Sequence, residues 1–265
     1  MPELPEVETI VRNLRPALVG RQVLSVGLFW ARTLAAPAMA EFHQRMVGQR
    51  IDEVTRRAKY LHFILSGGHL LVHLRMSGDM LLRPSPCMPE PHDRLHLALD
   101  SDETLVFNDT RKFGRVWLVD DPQQVLGNLG PEPFADDFNA SIFHHSLQAR
   151  RRQLKPLLLD QSFLAGLGNI YSDEALHLSG LHPLRQSDTI SSEESYKLFE
   201  AIRAVLRTGI ENNGASIDWV YRGGSFQNHF HVYGRTGEPC LVCETPIRRI
   251  LVGQRSTHFC PRCQL

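Results

Sequence analysis

The sequence predicts an α+β protein with three successive parts: strands come first, helices follow and a small cysteine module closes the chain. Short apolar runs separated by turn residues fill about residues 21–119, a pattern typical of a β-sandwich or barrel. Helical periodicity begins after the proline-rich linker Gly130–Pro133. Four of the five cysteines lie at or beyond residue 240.

An amphipathic helix is predicted over residues 2–20, ahead of the strand-rich part. Gly20 is a typical helix end, and the apolar residues at helical spacing are Val7, Ile10, Val11, Leu14 and Leu18. The turn Ser66–Gly68 separates two apolar runs and therefore predicts a hairpin. Thr104–Phe107 and Arg115–Val119 predict a second hairpin by the same pattern.

The helical part contains a long predicted helix that begins at Ser191 or Ser192. Ser191 with Glu194 three residues later matches a capping box. Three shorter helices are predicted at about 139–149, 153–160 and 169–178. Residues 214–230 are rich in glycine and lack periodicity, so they are predicted to form a loop.

The overall composition is that of an ordinary globular protein, with 42% hydrophobic and 22% charged residues. It excludes the disordered and fibrous classes. No apolar run reaches the roughly 18 residues that would span a bilayer, and the acidic, proline-rich start is unlike a secretory signal. We therefore expect a soluble, intracellular protein.

The terminal cysteines follow the pattern C-x2-C-x16-C-x2-C, formed by Cys240, Cys243, Cys260 and Cys263. Each C-x2-C pair can present two thiolates from one turn, and two pairs complete a tetrahedral zinc site. Two disulfides are the alternative, which a reducing compartment disfavours. Four thiolates leave no open position on the metal, so the zinc would be structural. Cys87 stands apart and is interpreted as a bystander.

Positive charge is concentrated in four clusters, although 29 basic and 29 acidic residues cancel. The clusters are Arg56, Arg57 and Lys59; Arg111, Lys112 and Arg115; Arg150, Arg151, Arg152 and Lys155; and Arg248, Arg249 and Arg255. Basic residues from distant segments can form one phosphate-binding face. Any single cluster is better explained as an ordinary solvated surface. Together, with one cluster inside the cysteine module, they favour a nucleic-acid partner.

The segment Gly166-Leu167-Gly168-Asn169 precedes a predicted helix. Its backbone N–H groups and the helix N-terminus could together bind an anion. Asn169 could cap the helix or donate to a phosphate. Taken alone, the segment is more simply a connection between two helices.

The N-terminus offers a candidate nucleophile if Met1 is removed. Pro2 would then carry a secondary amine, and an α-amine has a pKa of about 8, low enough to be partly unprotonated at neutral pH. Such an amine can attack a sugar carbon and form a cationic Schiff base. Glu3 lies beside it as a possible proton donor. Most N-termini are inert, so the residues taken alone favour an N-terminus without a chemical role.

Several motifs, in the right order along the whole chain, resemble those of bacterial formamidopyrimidine-DNA glycosylases. They are Met1–Glu8, Arg57–Leu61, His73–Gly78, Asp109–Gly114, the helix–two-turns–helix motif Gly166–Tyr171, and Val232–Arg235 with the four cysteines and Arg255. Leu4 favours this branch over the related endonuclease VIII branch, whose members usually carry glycine there and prefer oxidised pyrimidines.

The resemblance implies a repair enzyme with two activities. It would remove an oxidised purine, such as 8-oxoguanine or a formamidopyrimidine, and then cut the DNA at the abasic site by β,δ-elimination. Pro2 would form the Schiff base at the sugar C1′, and Glu3 would assist opening of the sugar ring. Lys59, at a strand position, would donate a proton in β-elimination. Arg255 would hold the lesion phosphate and assist δ-elimination.

The resemblance also implies the architecture. Residues 1–130 would form an antiparallel β-sandwich with flanking helices, 134–225 a helix–two-turns–helix domain, and 231–265 a zinc-finger β-hairpin with one structural zinc. Damaged duplex DNA would lie in the cleft between these parts. The family expectation is a monomer in the bacterial cytoplasm, working with the nucleoid.

Everting a base leaves a hole in the duplex that side chains must fill. Met76, Arg111 and Phe113 match the void-filling positions of the family. Without the resemblance, Met76 and Phe113 would be assigned to the hydrophobic core. The residues matching DNA-contacting positions are His92, Arg111, Arg151, Asn169, Lys155 and Arg255.

The loop 218–233 is a few residues shorter than in well-known family members, where it folds over the everted 8-oxoguanine. Residues 222–226 could form a smaller lid, or none. Two other hypotheses therefore remain: the same scaffold acting on oxidised pyrimidines, or a DNA-binding zinc protein without chemistry. The presence of Pro2, Glu3 and Lys59 argues against the latter.

Overall fold

The computed structural model of the chain describes residues 1–216 and 223–265 and contains two compact units. Unit 1 comprises Met1–Asn128 and Ala215–Gly224, and unit 2 comprises Leu129–Gly214 and Ser225–Leu265. Residues 217–222 lie outside the described chain, and they include the first residue of the segment 222–226, for which the sequence left open a smaller lid or none.

Unit 1 is a β-sandwich with helices on its flanks, which confirms the predicted fold of this part. Its strands are Val23–Leu28 (β1), Leu34–Ala36 (β2), Ile51–Arg57 (β3), Tyr60–Leu65 (β4), Gly68–His73 (β5), Gly78–Pro84 (β6), Asp93–Leu99 (β7), Glu103–Asp109 (β8) and Arg115–Val119 (β9). Its helices are Leu4–Leu18 (α1), Met39–Met46 (α2) and Gln123–Leu126 (α3). Among the described residues, one sheet has the order β1-β7-β8-β6 and the other β2-β9-β5-β4-β3. Neighbouring strands are antiparallel except β2 and β9, which are parallel.

One apolar core holds the two sheets and α1 together. Strand β4 alternates half-buried and buried residues, so one side of this strand faces the core. The helix α1 contributes its predicted apolar face, and Gly20 follows it with a φ of +86°, a backbone conformation that glycine adopts without strain. The hairpin predicted at Ser66–Gly68 is confirmed, since β4 and β5 pair antiparallel on either side of it.

The second predicted hairpin is wrong. Strand β8 pairs with β6 and β7, whereas β9 pairs with β5 and β2 in the other sheet. Residues 110–114 therefore cross from one sheet to the other. Alternating apolar residues predict a strand but do not identify its partner, because both sheets contribute to the same core.

Unit 2 is helical and ends in a small hairpin. Its helices are Ala140–Gln148 (α4), Leu154–Leu159 (α5), Asn169–Leu178 (α6) and Ser192–Glu211 (α7), and its strands are Arg248–Val252 (β10) and Arg255–Phe259 (β11). The predicted helices are thus confirmed to within about a residue. The capping box is also confirmed: Glu194 N–H donates to Ser191 Oγ at 3.2 Å, and Ser191 N–H donates to the Glu194 carboxylate at 2.8 Å. No helix in the described ranges is both long and apolar enough to cross a bilayer.

The helices α6 and α7 pack closely because Gly209 lies at their contact. A Cβ atom on Gly209 would come within 2.5 Å of the Tyr171 ring. Tyr171 is fully buried and also stacks on Phe226, with ring centroids 4.8 Å apart. This packing fixes α6, the helix that carries most of the polar contacts described below for unit 2.

Candidate catalytic residues, nucleic-acid interface and metal centre

The start of the chain is buried and held by Glu6. Met1 is 39% exposed, whereas Pro2 and Glu3 are buried directly before α1. One Glu6 carboxylate oxygen accepts the Glu3 N–H at 2.7 Å, and the other accepts the Ala215 N–H at 2.8 Å. Glu6 therefore anchors the segment that carries Pro2. Sequence reasoning missed this role, although a glutamate three residues after the helix start is itself a capping signal.

Lys59 lies in the two-residue turn between β3 and β4 rather than in a strand. Ala58 in this turn has a φ of +53°, and Lys59 is only 4% exposed. The His73 ring packs edge-on against Tyr60 at 4.6 Å, and His73 Nδ1 accepts the Arg75 N–H at 3.1 Å. Burial, followed by the charges of Arg75 and Lys59, lowers the pKa of His73 to about 3. Lys59 thus belongs to a cationic group beside a neutral histidine.

We expect His73 to make stability depend on pH. Its folded-state pKa of about 3 lies below its ordinary 6.5, so the unfolded chain takes up a proton that the folded chain refuses. Stability is therefore complete above pH 6.5 and falls as the pH drops toward 3. Between pH 6.5 and pH 5 the loss is about 2 kcal/mol, at roughly 1.36 kcal/mol per pH unit.

Urea unfolding of the wild type and of His73→Asn at pH 7 and pH 5 measures this difference. Asparagine keeps an acceptor for the Arg75 N–H but does not titrate. The wild type should lose about 2 kcal/mol more than the variant over this pH interval. An equal loss in both proteins would show that His73 accepts the proton while folded.

The residues predicted to fill the hole in the duplex are exposed in unit 1. Met76 is 40% exposed and Phe113 is 52% exposed, so the alternative that they belong to the core is wrong. Arg111 is also exposed, and its Nη1 lies 3.5 Å from Met76 Sδ. The loops that follow β5 and β8 therefore meet at Met76 and Arg111, and the second loop also exposes the aromatic side chain of Phe113.

Asp109 holds these two loops in place. It is fully buried, and its carboxylate accepts the Ser77 hydroxyl, the Arg111 N–H at 3.1 Å and the Gly114 N–H at 2.7 Å. An aspartate that accepts from its own following backbone is a common turn device, and this was the sequence signal available for it.

Gly114→Ala should destabilise the protein by about 1–3 kcal/mol, because overpacking a full core has that cost. A Cβ atom at this position would lie 2.3 Å from the buried Phe107 ring. Gly67→Ala is the control, since its Cβ would meet only the flexible end of Gln49 at 3.0 Å. Urea midpoints of both variants test this expectation. Equal midpoints would mean that Phe107 can move aside.

His92 is exposed at the end of the loop between β6 and β7, with a φ of +78°. The next residue, Asp93, is buried and accepts hydrogen bonds from Arg83, His96 and Asn108. Burial alone would raise the pKa of Asp93, but these bonds and one from the Glu90 backbone outweigh it and lower the pKa to about 2. The loop that presents His92 is therefore anchored by a permanently charged carboxylate.

In unit 2, Arg151 and Arg255 are exposed and accessible, with 85% of the Arg151 side chain open to solvent. Gly168, not Asn169, is the N-cap of α6. Asn169 Nδ2 donates to the Ser256 carbonyl at 3.0 Å, on the strand that begins at Arg255. The first residue of α6 thus contacts the terminal hairpin.

The structure places Lys155 in the interior of unit 2, unlike a lysine that contacts a phosphate directly. Its side chain is 0% exposed. The ammonium donates to the Asn169 carbonyl and the Ser172 hydroxyl, both at 2.8 Å, and to Asp173 at 2.5 Å. The sequence grouped Lys155 with its basic neighbours, but it lies within the short helix α5, whose residues are mostly buried.

The four terminal cysteines form a compact metal site. Their sulfurs all lie within 4.8 Å of one another, and three of the pairs are 3.3, 3.4 and 3.9 Å apart. Zinc–sulfur bonds of about 2.3 Å in a tetrahedron put the sulfurs about 3.8 Å apart, whereas a disulfide needs about 2.05 Å. The site therefore fits one structural zinc, and the disulfide alternative is excluded. Cys87 lies outside the cluster.

Two residues of α6 also contact the segment that carries this site. Glu174 is buried and accepts the backbone N–H groups of His231, Val232 and Tyr233 at 2.8–3.0 Å. His177 Nε2 lies 3.6 Å from Cys240 Sγ. Neither residue was singled out from the sequence, because a charged or imidazole side chain on a helix is most often solvent-exposed.

Three family models cover most of the chain. Residues 1–116 match the formamidopyrimidine-DNA glycosylase N-terminal domain, 129–220 its helix–two-turns–helix domain, and 237–265 a zinc finger found in these glycosylases and in isoleucyl-tRNA synthetases. The chain belongs to the formamidopyrimidine-DNA glycosylase family. The resemblance seen in the motifs is thereby confirmed in all three parts of the chain.

Relatives within the formamidopyrimidine-DNA glycosylase family are similar end to end. The formamidopyrimidine-DNA glycosylase of Herpetosiphon aurantiacus is 46% identical over 272 residues, which cover all of this chain and all of that enzyme. The enzyme of the same name from Chloroflexus aggregans is 45% identical over 273 residues, which cover all of this chain and 99% of that enzyme. Lactococcus lactis Fpg bound to DNA with an abasic site superimposes with a TM-score of 0.93 at 36% identity. MutM bound to DNA with a carbocyclic 8-oxoguanine gives 0.92 at 36% identity. Both structures cover all of either chain.

Proposed function

We propose that this chain removes oxidised purines from duplex DNA and then cleaves the abasic site by β,δ-elimination. The observation that carries the proposal is the end-to-end similarity to formamidopyrimidine-DNA glycosylases, including solved structures bound to abasic and 8-oxoguanine DNA. It is supported by Pro2, Glu3 and Lys59, which supply the groups that the chemistry needs.

The Pro2 nitrogen, freed by removal of Met1, attacks C1′ of the damaged nucleotide. The N–C1′ bond forms as the glycosidic bond breaks, and the base leaves with a proton. Glu3 donates a proton to the ring oxygen, which opens the sugar and yields a cationic Schiff base. That cation acidifies C2′–H, so loss of this proton expels the 3′-phosphate. Loss of a further proton expels the 5′-phosphate, and water then hydrolyses the imine and frees Pro2.

Lys59 and Arg255 serve the eliminations. Lys59 donates a proton during β-elimination, and the neighbouring neutral His73 does not compete as a cation. Arg255 pairs with the lesion phosphate and assists its departure during δ-elimination, as a guanidinium does with phosphate oxygens. The zinc takes no part in these steps, since its four thiolates leave no position for a substrate.

The exposed trio Met76, Arg111 and Phe113 fills the space left by the everted base, and Arg111 can hydrogen-bond to the orphaned partner base. His92, Arg151 and Asn169 contact the backbone, and such contacts set position rather than sequence preference. We assign 1–130 to the catalytic domain, 134–225 to the helix–two-turns–helix domain and 231–265 to the zinc finger, except that Ala215–Gly224 belongs to unit 1. The protein acts as a monomer on the DNA of the bacterial nucleoid.

A panel of duplexes with single lesions tests the substrate class. We expect strand cleavage at 8-oxoguanine and at ring-opened purines to exceed cleavage at oxidised pyrimidines by at least about tenfold, which requires a difference of roughly 1.4 kcal/mol. An undamaged duplex and an abasic duplex are the negative and positive controls. A preference for oxidised pyrimidines would contradict the proposed substrate class and favour the alternative, an enzyme that acts on oxidised pyrimidines.

A further inference from the structure

Helix α6 is joined to the strand of Arg255 by two hydrogen-bonded contacts within unit 2. Asn169 donates to the Ser256 carbonyl at 3.0 Å. One oxygen of Asp173 accepts the His258 N–H at 2.9 Å and lies 3.2 Å from His258 Nδ1. Ser256 and His258 both follow Arg255 in β11, so these contacts hold the backbone of the strand directly after Arg255.

The Asp173 carboxylate is buried, so protein groups rather than water stabilise its charge. Its side chain is 0% exposed, and its second oxygen accepts Lys155 Nζ at 2.5 Å. The same ammonium donates to the Asn169 carbonyl at 2.8 Å. A buried ion pair adds little stability compared with apolar residues of the same shape, but it holds its partners in a defined geometry. The pair therefore connects Asn169, at the start of α6, with the strand that carries Arg255.

We propose that Asp173 is a positioning residue that holds Arg255 and Asn169 in register for the phosphate at the lesion. The inference rests on the proposed function. Lys155 then acts from the interior, by tying Asp173 to the Asn169 carbonyl, and not by touching DNA. Loss of Asp173 should therefore reduce δ-elimination and leave β-elimination intact, since Arg255 is assigned to δ-elimination and Pro2 with Lys59 to the earlier steps.

Asp173→Asn tests this role because it keeps the shape but removes the charge opposite Lys155. With zinc content unchanged, the variant should still form the β-elimination product on an abasic duplex. Its fraction of δ-elimination product should fall at least about fivefold and its Kd for that duplex should rise by a similar factor, a range usual for coupled neighbours. Glu193→Gln, which breaks the surface pair with Lys197 at the start of α7, is the control and should match the wild type.

A double-mutant cycle with Arg255→Ala separates positioning from a general structural effect. If Asp173 acts through Arg255, the δ-product fraction of Asp173→Asn/Arg255→Ala should equal that of Arg255→Ala alone. Additive losses would overturn the inference. An unchanged δ-product fraction in Asp173→Asn would also overturn it. A wild type that cleaves neither abasic nor damaged DNA would instead reject the proposed function.

A second variant is used if Asp173→Asn itself loses its zinc. The pair Lys155→Met with Asp173→Asn removes both buried charges and leaves an amide oxygen to accept the His258 N–H. If Lys155→Met/Asp173→Asn keeps its zinc, it replaces Asp173→Asn in the double-mutant cycle with Arg255→Ala. A δ-product fraction equal to that of Arg255→Ala alone would then support the inference, and additive losses would overturn it. If Lys155→Met/Asp173→Asn also loses zinc, Asp173 holds the finger together rather than directing Arg255, and the inference is wrong.

Discussion

Pro2→Gly should lose strand nicking on an abasic duplex by about 10²-fold or more, because misplacing a reacting group by even 1 Å has an effect of that size. The proline ring fixes the direction of the nitrogen, whereas glycine leaves it free to rotate. The Kd for the same duplex should change little, because phosphate contacts dominate DNA affinity and Pro2 supplies none. Nicking and Kd are measured on one labelled duplex.

Two further proteins sharpen this prediction. Retained Met1 turns the Pro2 nitrogen into an amide, so nicking should vanish. Pro122→Gly is the matched control, since Pro122 precedes α3 and lies outside the residues assigned to chemistry. A loss of DNA binding equal to the loss of nicking in Pro2→Gly would mean that Pro2 acts structurally.

Cys243→Ser should remove the zinc and unfold the terminal hairpin. The binding free energy of a structural zinc is also folding free energy for a small module, at about 10–16 kcal/mol in zinc-finger peptides. The local apolar core is too small to replace it, because it consists of Val232, Ile247 and the cysteines themselves. With Arg255 no longer held, we expect weaker DNA binding and loss of the δ-elimination product.

Elemental analysis and DNA binding check this second prediction. Cys87→Ser is the matched control, since Cys87 is a free cysteine outside the cluster, and it should keep one zinc per chain and full affinity. Unchanged zinc content in Cys243→Ser would show that the remaining ligands suffice and would reject the structural account of the site.

The sequence was most informative where the pattern is local. Helix α6 was predicted with its observed ends, and the capping box at Ser191 and the C-x2-C pairs were identified from a few neighbouring residues. Such signals depend on contacts between residues close in the chain, and the structure cannot rearrange them. The role of Pro2 came from the family resemblance rather than from a local pattern, and it stays a prediction.

Features set by long-range contacts could not be predicted in this way. The crossing of residues 110–114 between sheets depends on which partner β9 pairs with, and periodicity does not encode that. The burial of Lys155 depends on Asp173, 18 positions away, and on a strand more than 80 residues further on. A lysine in a basic stretch therefore appeared to face DNA when it faces a carboxylate. The anchoring roles of Glu6 and Asp109 were missed for the same reason.

Borohydride trapping tests the central claim most directly, on a duplex with one 8-oxoguanine opposite cytosine and on a parallel abasic duplex. The reductant converts a Schiff base into a stable amine, and peptide mapping locates it. The account predicts a covalent adduct on both duplexes, attached to Pro2. An adduct on the abasic duplex alone would keep the lyase but contradict the substrate. No adduct on either duplex, with Met1 shown to be removed, would contradict the enzyme and leave a DNA-binding zinc protein.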